Sequence, residues 1–490
     1  MAHVQLRPRI HLTPPAGRLN DPNGLCIVDG HLQVFYQLDP SYPQQPKQTG
    51  WGHASAPITG SDRFYWQHHP QALFPDQDYD AQGCYSGGAV IDDAGAVRLF
   101  YTGNVKHDGK RHATQNLVEV AGLGRKSGGR YTKSEHNPLL DGPAPGFSND
   151  YRDPMITRDP ANPERFRMVI GAATTAGNPA VVMYTSDDLY TWDFAGELTF
   201  AIDANTVQHT PAIVPGGYMW ECPNLLTLTD QASGQQCDVL VICPQGLDPV
   251  NGQSRTHFAS SDQCGYLVGK LDGTTFQVMH GFREIDLGHH FYAPQFIGVG
   301  EQELAAAPSG IQPTLACSES CWMIGWMGLP GADESPLFEQ EGWLHALTCV
   351  RRLKLVDGSL VQSWLLPPDV PVLTINDSHV AAPAAEHLHR NGITVTAADT
   401  QHHVKIDTPA CALLTIGACP TRLTVGIGNP VTVTVTETQI ACEYDTDVRT
   451  VARTTDAAVE MLVDGPAIEI LVDGGRESFT LLAHHTTWQE

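Results

Sequence analysis

Apolar and polar positions alternate along this chain in short runs, at the period of strands rather than helices. Leu25-Cys26-Ile27-Val28 and Leu32-Gln33-Val34-Phe35-Tyr36 flank Asp29-Gly30. An Asp-Gly pair tolerates positive φ and closes a two-residue hairpin turn. Ala89-Val90-Ile91 and Val97-Arg98-Leu99-Phe100-Tyr101 flank Asp92-Asp93-Ala94-Gly95 in the same way, and Arg167 to Ile170 is expected to pair with Ala180 to Tyr184. Further strands are expected at Asp238 to Ile242, Gly265 to Gly269 and Cys321 to Trp326. Hairpins recurring in this manner suggest radial repetition, a β-propeller, although a sandwich or large barrel presents similar strands.

The texture changes near residue 355. Trp343 to Leu355 is the last aromatic-rich block, and Pro367-Pro368 and Pro371 read as a linker, placed at residues 356–384. From about residue 385 Thr and Val alternate cleanly, as in Val431-Thr432-Val433-Thr434-Val435 and Ile468-Glu469-Ile470-Leu471-Val472. Strands buried on one face in this way predict a β-sandwich over residues 385–490, after a first unit over residues 1–355.

The 490 residues exceed one compact core, which agrees with two units. Only 17% are charged, and 54 acidic against 29 basic residues leave −25, a surface that repels nucleic acid and anionic membrane. No apolar run approaches the roughly 18 residues needed to span a bilayer. The N-terminus carries no export signal, and the twelve scattered cysteines then read as reduced thiols, so a cytoplasmic location is expected. No Cys or His spacing calls for a metal, and no cofactor is implied; oligomeric state is left open. The His pairs, His289-His290 among them, read as exposed loop residues.

Three fragments carry candidate chemistry: Leu19-Asn20-Asp21-Pro22-Asn23-Gly24, Tyr151-Arg152-Asp153-Pro154 and Trp220-Glu221-Cys222-Pro223. Each sets one carboxylate among turn residues, and Asn-Asp-Pro-Asn-Gly is expected to end an element rather than continue one. Taken singly each is more often a surface turn or ion pair, and Arg158-Asp159-Pro160 is a second copy that reads as a loop. In this order, however, the three resemble the signature motifs of the invertase and β-fructosidase glycoside hydrolases, family 32. Phe35-Tyr36-Gln37, Trp51-Gly52-His53, Cys84-Tyr85-Ser86-Gly87-Gly88 and Phe291-Tyr292-Ala293-Pro294-Gln295 match further segments of that family. Pro244-Gln245-Gly246 points toward its intracellular bacterial members.

The resemblance implies a five-bladed β-propeller with a C-terminal β-sandwich and an active site at the propeller axis. It implies retaining cleavage of a terminal β-fructofuranoside in sucrose, sucrose-6-phosphate or short fructo-oligosaccharides. Asp21 is the expected nucleophile, held in a hydrogen-bonded turn by Asn20 and Asn23, and Glu221 the acid/base in partly apolar surroundings. Asp153 is the expected stabiliser of the oxocarbenium-like transition state, kept ionised by adjacent Arg152. Asn20, Gln37, Trp51, Tyr85, Ser86, Arg152 and Tyr292 are the expected substrate-binding residues. A fructosyltransferase and a non-catalytic sugar-binding propeller are the alternatives; the second predicts loss of a carboxylate, and all three are present.

Two positions depart from the family pattern. Arg18 stands where an aromatic is usual, and His289-His290 where an acidic residue is common. No Lys/Arg cluster marks a phosphate site; Lys47, Arg63, Lys106 and Arg111 are candidates only through their charge.

Overall fold

The computed structural model describes residues 7–483 apart from residues 46, 59–64, 125–126, 250–259, 301–312, 332, 334–335, 377–378, 381–392, 399–400, 407–410, 418–430 and 445–446. Arg63 lies outside the described residues.

Between Gly17 and Trp364 five largely antiparallel sheets follow one another. Asp29 and Gly30, at φ 51° and 69°, close the first hairpin as their residue types predict. That hairpin joins strands Gly17–Val28 and His31–Asp39, and Gly50–Pro57 and Gln67–Leu73 complete the meander. Trp343–Leu344, from far along the chain, pairs parallel with Gly17-Arg18. The other four sheets open on Ala89–Ile91, Phe147–Asp159, Met219–Thr229 and Tyr292–Val299. These five opening strands touch in cyclic order, the fifth returning to the first, and so form a closed ring. Apolar clusters fill the wedges between successive sheets: Phe35, Trp51 and Leu99 between the first two, Phe100, Ile156 and Ile170 between the next.

The signature fragments do not end elements, as expected from sequence, but lie inside the opening strands. Each interrupts its ladder with a bulge: between Leu19 and Pro22, between Arg152 and Met155, between Glu221 and Asn224, and between Tyr292 and Gln295. In three of them a residue with positive φ precedes proline: Asp153 at 67°, Cys222 at 46° and Ala293 at 47°. Proline lacks the N–H that a ladder requires, so it is tolerated in the sheet only at such a break. The bulge turns the neighbouring side chain out of the pleat, and the strand continues beyond it.

The stretch expected as a linker is largely strand. Ser359–Trp364 completes the fifth sheet, and Val372–Asn376 pairs parallel with Cys411–Ile416. Short apolar alternations beside prolines carry too little periodicity to stand out. Beyond Val372 a six-stranded sheet and a three-stranded sheet share one apolar core that includes Leu414, Val433, Ile440, Met461, Ile470 and Phe479.

Buried ions tie these later sheets to the earlier ones. Arg351, wholly buried, donates to Asp286 Oδ2 at 2.9 Å and from Nε to Glu469 Oε2 at 2.7 Å. Imidazole Nε2 of His11 meets Glu469 Oε1 at 2.8 Å, and its Nδ1 meets Asp464 Oδ2 at 2.9 Å. His289 and His290 are not exposed loop residues: both are buried, with His289 Nε2 3.0 Å from Asp447 and His290 Nδ1 accepting from Leu482 N–H.

Candidate active site

Four bulged strands and Tyr85, just before the second sheet, contribute side chains to one cavity of about 310 Å³. It brings together Asp21, Asp153 and Glu221, which lie on the first, third and fourth sheets.

Asp21 is held from two sides. Asn20 Nδ2 donates to its Oδ1 at 2.9 Å, and Ser86 Oγ donates to Oδ2 at 2.5 Å. Gln37 Nε2 in turn donates to Ser86 Oγ, and Gln37 Oε1 accepts from Asn20 at 3.0 Å. The result is a closed polar circuit of Asp21, Asn20, Gln37 and Ser86 that fixes one carboxylate orientation. Asn23 accepts Gly87 N–H at 3.0 Å and donates to the Asp21 carbonyl, so it supports the bulge rather than the carboxylate.

Asp153 is buried, with its own N–H on Thr102 Oγ1 at 2.9 Å and its Oδ2 accepting Cys222 N–H at 3.0 Å. The Cys222 thiol lies 3.6 Å from Asp153 Oδ2 and 3.8 Å from Asp21 Oδ2, so both carboxyl groups face one sulfur. Burial, helped by the nearby Glu221 and Asp21 carboxylates and opposed by Arg152, pushes the Asp153 carboxyl up to about 7. That reverses the expectation that Arg152 keeps it firmly ionised. The physical reason is burial, which outweighs the lowering by Arg152, whose guanidinium makes its hydrogen bonds to Glu221 and Asp150. Arg152 Nε and Nη2 donate to Glu221 Oε1 at 2.9 and 2.7 Å, and Nη1 reaches Asp150 at 3.0 Å. Tyr292 O–H donates to Glu221 Oε2 at 2.9 Å. Glu221 therefore sits among donors, not in the apolar setting that Trp220, Cys222 and Pro223 suggested.

Residues 11–364 match the profile of the glycosyl hydrolases family 32 N-terminal domain. The chain belongs to that family. It is 36% identical over 361 residues to a sucrose-6-phosphate hydrolase of Klebsiella pneumoniae, a match covering 72% of this chain and 66% of that relative. A mutant β-fructofuranosidase of Bombyx mori, solved in complex with sucrose, is 26% identical with a TM-score of 0.69, covering 99% of this chain and 90% of the other. The sucrose-6-phosphate hydrolase of Lactobacillus gasseri has a similar fold, at TM-score 0.72 and 23% identity over 99% and 90% of the two chains.

Of the substrate-binding residues expected from the family-32 motifs, Asn20, Gln37, Tyr85, Arg152 and Tyr292 line the cavity. Trp51 and Ser86 stand behind it. Trp51 is fully buried and donates its indole N–H to the Tyr85 carbonyl at 3.1 Å, so it braces Tyr85. Arg18, the departure from the family pattern, lines the wall with its guanidinium 5.5 Å from the Trp326 ring centre. Its Nη1 donates to Asn20 Oδ1 and its Nε to Asp333 Oδ1, both at 2.6 Å. Lys47 and Arg111 also line the cavity; Lys106 does not. Gln245, Trp326 and Asp333 were missed as lining residues, and only Gln245 had a motif signal, through Pro244-Gln245-Gly246. Among the described residues no group of three or more His, Cys, Asp or Glu is arranged to hold a metal. No described helix is long and apolar enough to cross a membrane.

Proposed function

We propose that this chain is a retaining β-fructofuranosidase that releases terminal fructose from sucrose, sucrose-6-phosphate or short fructo-oligosaccharides. The observation that carries the reading is the convergence of Asp21, Asp153 and Glu221 in one cavity with a distinct set of partners for each. Relatives named sucrose-6-phosphate hydrolase support it. In the first step an Asp21 oxygen bonds to the anomeric ketose carbon as the glycosidic C–O bond breaks, and Glu221 passes its proton to the departing oxygen. Water then attacks that carbon, gives its proton to Glu221 and frees Asp21. Asp153 and Arg152 bind hydroxyls of the ring, and Asp153 offsets the positive charge that develops on it.

In the same reading the five sheets are the blades of a propeller, the sheets beyond Val372 form a sandwich, and residues 365–371 join the two. The eleven described cysteines are all free thiols, which fits a reducing cytoplasmic setting.

The test is fructose release by purified protein from sucrose, sucrose-6-phosphate and 1-kestose, with Asp21→Asn as control. Turnover of at least one sugar is expected, falling at least about a thousandfold in the variant. Equal activity of variant and wild type would overturn the assignment.

A further inference from the structure

Arg18 lies at the start of the strand Gly17–Val28, two residues before Asn20, and Leu19 between them is wholly buried. Residues two apart on a strand share a face, and Arg18 and Asn20 both line the cavity that Asp21 enters. The guanidinium is held on several sides. Its Nε donates to Asp333 Oδ1 at 2.6 Å, and the Trp326 ring centre lies 5.5 Å away. Asp333 is anchored in turn: Tyr42 O–H donates to its carbonyl at 2.9 Å, and His345 Nε2 lies 3.5 Å from its Oδ1. The Nη1 of Arg18, fixed by these contacts, donates to Asn20 Oδ1 at 2.6 Å.

From Arg18 onward every hydrogen bond runs in one sense. Asn20 accepts from Arg18 on its oxygen and donates from its amide nitrogen to Asp21 Oδ1 and Gln37 Oε1. Gln37 donates to Ser86, and Ser86 donates to Asp21 Oδ2. A guanidinium has donors alone and an ionised carboxylate has acceptors alone, so the two ends of this chain fix its direction. Turning the Asn20 amide over would set its NH2 against the guanidinium and its oxygen against the carboxylate.

We propose that Arg18 is a positioning residue for the nucleophile: it locks the Asn20 amide, and through Asn20 and Gln37 the Asp21 carboxylate, in the orientation for attack. The inference rests on the fructosidase reading of Asp21. It adds a residue that the family-32 pattern does not supply, since an aromatic is usual at this position. While Asp21 is free, its own charge helps to hold the amide. Once Asp21 is esterified to the fructosyl group that charge is gone, and Arg18 is the charge that still holds the circuit. The lock therefore serves the second step as well as the first.

The experiment compares wild type, Arg18→Leu and Arg18→Lys on sucrose and on β-D-fructofuranosyl fluoride. The fluoride presents the same ring with no leaving sugar: its C–F bond breaks as the bond from Asp21 to carbon forms, and fluoride ion departs. In Arg18→Leu kcat is expected to fall about ten- to hundredfold on both compounds, with KM for the fluoride within about threefold of wild type. Arg18→Lys keeps a donor-only cation and should restore part of the loss. Asp333 is 37% exposed, so losing its guanidinium leaves no deeply buried charge, and Arg18→Leu is expected to fold. A loss confined to sucrose, with the fluoride within about twofold of wild type, overturns the proposal and leaves Arg18 as a contact for the leaving sugar. A crystal structure of Arg18→Leu reads the lock without turnover. The contact of Asn20 with Asp21 or with Gln37 is expected to open beyond about 3.5 Å, and both contacts intact would overturn the proposal. Wild type that releases neither fructose nor fluoride overturns the fructosidase reading; the crystal structure then decides separately whether Arg18 sets the Asn20 amide.

Discussion

Arg152 places two N–H donors, at 2.9 and 2.7 Å, on a single oxygen of Glu221, although the two residues sit on different sheets. The contact couples the guanidinium to two carboxylates at once, since Arg152 also holds down the rise at Asp153. Arg152→Gln removes that cation, so Asp153 titrates still higher. If ionised Asp153 is the active form, the acid limb of kcat/KM against pH moves upward, with turnover lower by about a hundred- to a thousandfold. A profile that falls in height without moving along the pH axis would contradict this coupling.

Asp153 makes the native state keep a proton that the unfolded chain gives up near the ordinary carboxylate pKa of 3.8. A carboxyl raised to about 7 on folding therefore makes stability decline as pH rises from about 4 through 7. Asp153→Asn has no such proton to lose. Its Tm should exceed that of wild type by more at pH 8 than at pH 5, while fructose release collapses. Parallel thermal scans at the two pH values check the sign.

Ser86 does not itself line the cavity, yet its hydroxyl donates to Asp21 and accepts from Gln37, which do. Ser86→Ala opens the polar circuit and leaves Asp21 with Asn20 as its side-chain donor. A loss of about ten- to hundredfold in kcat with a smaller change in KM is expected, as for a positioning group. Ser86→Thr, which keeps the hydroxyl, should recover part of it.

The His11–Glu469 contact sets a second pH window. Its two carboxylate partners push His11 up to about 9 against the cost of burial, and Arg351 and His11 pull Glu469 down to about 2. The histidine contribution is complete below about pH 6.5 and is lost as pH rises through 9. The glutamate contribution is present above about pH 4.5 and is lost as pH falls through 2. Glu469→Gln leaves Arg351 and His11 short of their buried partner and is expected to cost about 3–5 kcal/mol, measured by denaturant unfolding.

Hairpins were legible wherever turn chemistry and alternation agreed, as at Asp29-Gly30 and in the pairing of Met183 with Val169. The three carboxylates were legible because each sits in a short fragment that carries its own turn residues. What those fragments do in the sheet was not, since a bulge is a mismatch between two strands and one strand alone cannot show it. Trp51 shows the same limit: its residue type suits a sugar face, but only the packing against Tyr85 decides that it lies beneath one. Lys47 and Asp333 carry no local signal, because the connections that hold them meet only when the sheets close into a ring. Arg351 and Glu469 lie on strands and Asp286 on a connection, and the contacts of Arg351 with Asp286 and Glu469 span 65 and 118 residues of chain.

The cluster of Arg351, Asp286, Glu469, His11 and Asp464 also bears on what a break in the backbone would mean. Its members come from both sides of the proline-rich crossing at Pro367 to Pro371, and all of them are sealed from water. A protease that nicked the crossing would sever the peptide without freeing either piece. The two fragments would travel as one particle through gel filtration, parting only in denaturant.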